Sequence, residues 1–190
     1  MATRPKSPLT AQEYLEIERK AEFKSEFYKG EVFAMSGGSI IHSRLAVRLI
    51  SLFDAHLQGR GCDVFNSDLR LLVEKDGLYT YPDVSVVCGK PVLADQHGDI
   101  LVNPVLLVEI LSPSTEQYDR GTKVALYRTI HSVRECLLIS QDKPELELYR
   151  RENGDDWRII TAKSLDSILE LTSIQYCLSL RDLYRGILQA

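Results

Sequence analysis

No stretch of this 190-residue chain approaches the roughly 20 consecutive apolar residues that a membrane-crossing helix needs. The N-terminus, MATRPKSPLT, has no apolar run for a signal peptide, so the expected location is cytoplasmic, with no membrane partner. Cysteine is scarce: Cys62, Cys88, Cys136 and Cys177 are too far apart for any CxxC metal spacing and read as reduced thiols, mostly in the core. Positive charge is short too, with 23 Lys and Arg against 27 Asp and Glu and a net charge of -4. That argues against a protein whose task is to blanket a polyanion with lysines. It leaves a nuclease open, because an acidic site lowers the global charge while a bound divalent cation supplies positive charge locally. No repeat or low-complexity segment interrupts the chain, and 44% hydrophobic residues suffice for a single domain over residues 1–190, with 1–8 as a loose arm.

What is present is a mixture of helical and strand patterns. Thr10 followed by Glu13 is a capping box that predicts a helix to about Ala21. Two short strands around Phe27 and Val32–Met35 turn at Gly30, with Glu26 just before the turn. After Ser36–Ser39, apolar residues recur at helical spacing from Ile41 to Leu57. Strands follow at Cys62–Phe65, Leu69–Val73, Val84–Val87, Val105–Leu111 and Leu137–Ile139. An exposed pair comes next, Glu145–Tyr149 with Trp157–Thr161, and a helix over Ser179–Leu188 closes the chain. The expected fold class is α/β (α+β), a mixed central sheet flanked by helices.

One run stands out. In Val105-Leu106-Leu107-Val108-Glu109-Ile110-Leu111, closed by Pro104 and by Ser112-Pro113, Glu109 is the only polar side chain. The flanks and length describe a strand buried on both faces, where an unpartnered carboxylate is costly. Asp83 opens the preceding strand. Between Ser114 or Thr115 and Ile130 a helix is predicted in which Asp119, Lys123, Leu126, Tyr127 and Ile130 share one face, so two acids and a lysine enter one apolar environment. Three readings compete: a buried ion pair, a metal or proton-transfer site for a small molecule, and metal-assisted phosphodiester hydrolysis. His42 is a candidate to bind a phosphate or orient Glu26, or else a capping or solvated histidine; Asp68 reads as a turn residue, and His56, His97 and His131 as solvated. Lys20, Lys24, Arg44 and Arg48 form at most an interrupted basic rim.

Pro82-Asp83 on one strand and Glu109 on the next resemble the PD-(D/E)XK nuclease signature, except that Leu111 stands at the usual lysine position. The chain is similar to one branch of that superfamily, the Uma-type restriction endonucleases, in which the lysine has moved to the following helix. The stretches that carry the resemblance are Ser25–Glu31, His42, Tyr81–Asp83, Val108–Thr115, Asp119–Tyr127 and Val133–Glu135; Cys136 and Ser140 depart from it. The resemblance implies a restriction-endonuclease-like core acting on DNA as a homodimer. It also implies Mg²⁺, or Mn²⁺ as a substitute, held by Asp83, Glu109 and Ile110. Lys123 would orient water and Glu26 would be an added acid.

Overall fold

The computed structural model describes residues 8–35 and 37–188. Residues 1–7 of the expected arm therefore lie outside the described residues, as does Ser36. Pro8 and Leu9 are not loose: Leu9 N–H donates to the Gly30 carbonyl at 3.1 Å, and a Cβ at Gly30 would come within 2.5 Å of the Pro8 Cβ. In chain order the elements are α1 (Ala11–Glu18), β1 (Ser25–Tyr28), β2 (Glu31–Ala34), α2 (Ile40–Leu57), β3 (Cys62–Asn66), β4 (Arg70–Val73), β5 (Leu78–Thr80) and β6 (Val84–Cys88). Then come β7 (Ile100–Leu101), β8 (Leu106–Leu111), α3 (Glu116–Tyr118), a π-turn (Asp119–Lys123), α4 (Val124–Tyr127), β9 (Glu135–Ser140), β10 (Leu146–Arg151) and β11 (Trp157–Ala162). The chain closes with β12 (Ile168–Leu171), β13 (Tyr176–Ser179) and α5 (Leu180–Tyr184).

The strands divide into sheets of five (β2-β1-β5-β4-β7), six (β11-β10-β9-β8-β6-β3) and two (β12-β13), and both larger sheets are mixed. The six-stranded sheet is antiparallel except between β8 and β9, and in the five-stranded one β7 joins β4 in parallel. The central strand β8 is buried along its whole length, and alternation sorts its side chains. Leu106, Val108 and Ile110 pack with Leu45, Leu49 and Phe53 of α2, whereas Leu107 and Leu111 face Leu126, Tyr127 and Val124 of the helical segment. Glu109 shares the parity of Leu107 and Leu111. The fold thus points its one acid at the helix that carries the lysine.

Three local expectations change. The helix after Thr115 is not regular: the Val124 amide bonds back to the Asp119 carbonyl, which widens one turn into a π-turn, and the helix ends at Tyr127 rather than Ile130. Strand β10 is not exposed: Leu146 and Leu148 enter the main core, and Tyr149 on the other face packs, partly buried, against the clusters around Leu107 and Leu111. Cys62 and Cys88 are not free thiols; they are opposite one another in the β3–β6 register, with Cα atoms 4.0 Å apart, and form a disulfide. Twenty-six positions separate them along the chain, so only the folded pairing reveals the bond. Cys136 is a buried thiol and Cys177 an exposed one.

Glu135 shows what a satisfied buried carboxylate looks like. It is fully enclosed and accepts from Arg150 Nε, from the amides of Thr172 and Ser173, and from both of their hydroxyls. Those bonds moor the turn between β12 and β13 to the edge of β9.

Candidate active site

Strand β6 runs antiparallel to β8 with Val84 opposite Val108, and Asp83 immediately precedes it. Asp83 lines the same cavity as Glu109 and is near enough to act on its carboxyl. Asp83 Oδ2 accepts the Ile110 backbone N–H at 2.6 Å and lies 3.2 Å from His42 Nε2. Ser39 caps α2 by accepting the His42 amide at 3.0 Å, which fixes the imidazole in the first turn above Asp83. The hydrogen bond to Asp83 raises the His42 pKa against the opposing effect of burial, helped by a bond to the Ile110 backbone.

Lys123 enters from the π-turn. Its Nζ lies 2.9 Å from Glu26 Oε1, 3.2 Å from Glu109 Oε1 and 3.7 Å from Asp119 Oδ1, and the residue is only 5% exposed. Glu26 arrives on β1 and also accepts from Thr80 Oγ1. The β1–β2 hairpin that presents it turns tightly through Lys29 and Gly30, both with positive φ (52° and 85°), the geometry a two-residue hairpin requires. Tyr127, one turn beyond the lysine, donates its hydroxyl to Glu109 Oε1 at 2.5 Å.

Four acids, Glu26, Asp83, Glu109 and Asp119, thus line the site with one lysine and one histidine. Burial pushes the Glu109 carboxyl up to about 8; Asp83 and Asp119 add to the shift, while Lys123 and the Tyr127 hydroxyl oppose it. Burial also raises Asp119. Burial works against the Lys123 ammonium, yet the combined pull of Glu109, Glu26 and Asp119 outweighs it and holds the pKa above the ordinary lysine value. The surroundings thus favour the charged lysine and disfavour the ionised form of Glu109.

The four residues singled out from sequence, Asp83, Glu109, Lys123 and Glu26, line one cavity of about 490 Å³, as does Ile110, whose side chain is buried while its backbone meets Asp83 and His42. Among the described residues, no group of three or more His, Cys, Asp or Glu side chains is drawn together as a ready metal cage. His42 reaches Asp83 rather than Glu26. Asp68 closes a turn, its amide donating to Asn66 Oδ1 at 3.0 Å, and binds Lys24. His56 is not solvated: its Nε2 lies 3.1 Å from the Ile174 carbonyl, and its ring packs against Tyr176. Arg44 and Arg48 form no rim, since both donate to carbonyls at the chain's end, Gly186 and Asp182. Sequence reasoning missed Tyr127 and Thr80 as site residues. The signal for Tyr127 was there, because a tyrosine on a buried helix face needs a partner for its hydroxyl.

The fold is nuclease-like. Over 95% of this chain and the whole of the other, it superposes with a TM-score of 0.77 on the crystal structure of a putative nuclease belonging to DUF820 from Anabaena variabilis ATCC 29413, at 24% identity. The chain belongs to the Uma2 family, described as "Putative restriction endonuclease", whose model matches residues 11–181. Two proteins of Synechocystis are similar to it. One, the uncharacterized protein slr1290, is 39% identical over 98% of both chains; the other, sll1609, is 38% identical over 78% of this chain and 84% of its own. Family membership supports a nuclease role. Among the described residues no helix is long and apolar enough to cross a membrane.

Proposed function

We propose that the protein is a Mg²⁺-dependent endonuclease that hydrolyses phosphodiester bonds in DNA, with Mn²⁺ able to replace Mg²⁺. The observation that carries the reading is that Asp83, just before β6, and Glu109, on β8, line one cavity with Lys123, whose ammonium lies 3.2 Å from Glu109. The donors fit the ion. Mg²⁺ prefers hard oxygen ligands, keeps several waters and needs only one or two protein carboxylates. Burial, with Asp83 and Asp119 adding to it, raises the Glu109 pKa, and a divalent ion bound beside it would favour the ionised form. Asp83 and Glu109 would hold it, together with the backbone of Ile110. Bound there, it would supply a Lewis acid that acidifies water and screens the phosphate.

The chain's own residues do the rest. Glu26, 2.9 Å from Lys123 Nζ, anchors the ammonium so that it can orient the attacking water and stabilise charge developing on phosphate. Tyr127 holds Glu109 in place by donating to the same oxygen that faces Lys123. His42 steadies Asp83. A one-domain enzyme that cuts both strands of a duplex brings one site to each strand, so the reading includes a homodimer, to be checked by light scattering.

A second reading, a catalytically silent protein that binds nucleic acid or regulates, draws on one observation: Asp83 and Glu109 already have partners inside the protein, in Ile110 N–H, His42, Tyr127 and Lys123. Cleavage assays combined with calorimetric titration of Mn²⁺ separate the two. Lys123→Ala is expected to cripple turnover while metal affinity stays near that of the wild type, whereas Asp83→Asn loses both. Equal loss of metal affinity in the two variants would show the roles to be misassigned. Wild-type protein that cuts nothing and takes up no metal would favour the silent reading.

A further inference from the structure

The cavity above the carboxylates holds more than metal chemistry requires. Its wall includes four phenylalanine and tyrosine rings, Tyr28, Phe33, Tyr81 and Tyr118. Phe33 is paired with Glu26 in the β1–β2 register, so both project from the same face of the hairpin, and Tyr28, two residues from Glu26, does the same. Phe33 is 47% exposed, an apolar ring left open beside a charged site. The lining is also polar. Gln141 is 6% exposed and its Oε1 accepts from Ser39 Oγ at 2.6 Å. Ser112 and Ser114 add hydroxyls.

Size and charge narrow the occupant. About 490 Å³ lies in the range of small-molecule sites, roughly 300–1,000 Å³, and suits one nucleotide. Glu109 and Lys123, each 5% exposed, lie too deep for a phosphate to reach them unless its sugar and base follow it in. The only cations lining the cavity among the described residues are Lys123 and His42, and both are engaged by carboxylates. A continuous duplex is gripped mainly through rows of Lys and Arg on its phosphates, which this wall does not offer. Unpaired bases are held by stacking on aromatic rings, at about 1–3 kcal/mol per base. Enzymes whose reactive groups lie at the bottom of a pocket take the nucleotide out of the stack.

We propose that this cavity receives a single unpaired nucleotide of the substrate strand, its base against Phe33, Tyr28 and Tyr118 and its edge read by Gln141. The protein would then act on single-stranded, frayed or extruded positions in preference to continuous duplex. The proposal rests on the nuclease reading for its chemistry but not for its test. In EDTA, with no cleavage possible, the wild-type protein is titrated into a fluorescent single-stranded DNA oligonucleotide carrying 2-aminopurine, and into the same strand annealed to its complement.

The single strand is expected to bind at least about tenfold more tightly, with quenching of the 2-aminopurine as it stacks. Phe33→Ala should weaken that binding at least about fivefold, the lower end of the stacking range, and abolish the quenching, while Phe33→Trp restores both. Because Phe33 is half exposed, its variants should fold as the wild type does, which circular dichroism would confirm. Equal binding of single strand and duplex, no effect of Phe33→Ala, or no binding of any oligonucleotide would each overturn the proposal. Stacking through Phe33 in a protein that cuts nothing with Mg²⁺ or Mn²⁺ would keep the pocket and sink the nuclease reading. Cleavage of duplex indifferent to Phe33 would do the reverse.

Discussion

Replacing Glu109 by glutamine tests the site through stability alone. The change keeps the shape of the side chain, and the amide oxygen can still accept from Tyr127 and from Lys123, which lie 2.5 and 3.2 Å from Oε1. Lys123 is not stranded, because Glu26 at 2.9 Å and Asp119 at 3.7 Å remain. What the variant loses is the proton equilibrium. An acid raised from 4.5 to about 8 on folding costs nothing below pH 4.5, where both states are protonated. As pH rises the unfolded chain ionises and the folded one resists, so wild-type stability falls by about 1.4 kcal/mol per pH unit until the folded pKa is passed. Between pH 6 and pH 9 that amounts to about 2–3 kcal/mol. Glu109 is buried, so solvent screening takes little from the figure.

Urea unfolding of both proteins in EDTA at pH 6 and pH 9 reads the difference, and contributions from His42 and the other acids, common to both, cancel. The variant should gain about 2–3 kcal/mol on the wild type between the two pH values. Adding Mg²⁺ at about 100 times its dissociation constant should stabilise the wild type by about 2.7 kcal/mol and the variant hardly at all. A gap that does not move with pH would refute the protonation argument. A variant that melts far below the wild type, with no Mg²⁺ response in either protein, would falsify the metal site and return Glu109 to a plain ion pair.

Two further outcomes follow. Tyr127→Phe removes one buried hydroxyl donor from Glu109 and should cost about 1–3 kcal/mol in thermal or chemical melts without altering the fold; a neutral result would mean that the hydroxyl is not the bond it resembles. Reducing the Cys62–Cys88 disulfide, which closes a loop spanning 26 positions, should lower stability by about 3–4 kcal/mol. Mass spectrometry of the alkylated protein checks the redox state, and four reactive thiols in unreduced protein would contradict the bond.

Which side chains meet in the cavity was more legible in the sequence than the sheets that bring them together. A carboxylate inside seven otherwise apolar residues is visible without a structure, and helical spacing places Lys123 on the face that packs against the sheet. Although the segment is locally a π-turn, Asp119 still lies 3.7 Å from the lysine. Strands of two or three residues, such as Leu78–Thr80 and Ile100–Leu101, are too short to show periodicity and are held by distant partners. Their absence from the reading concealed the division into separate sheets. Strand β2 looks apolar in sequence yet is exposed throughout, since it is the edge of its sheet, and that is how Phe33 comes to face the cavity.

Glu109 and Glu135 are glutamates on neighbouring parallel strands, both shut away from water, and they would behave oppositely in a mutational scan read by abundance. Glu135 is saturated by five donors, so an amide there would point N–H groups at N–H and O–H groups. Glutamine at 135 should therefore lower the level of protein in the cell, while glutamine at 109 leaves it unchanged or raises it. A survey of tolerated substitutions would rank the mooring acid as indispensable and Glu109 as replaceable; under the proposed function, a screen that demands turnover would reverse the order.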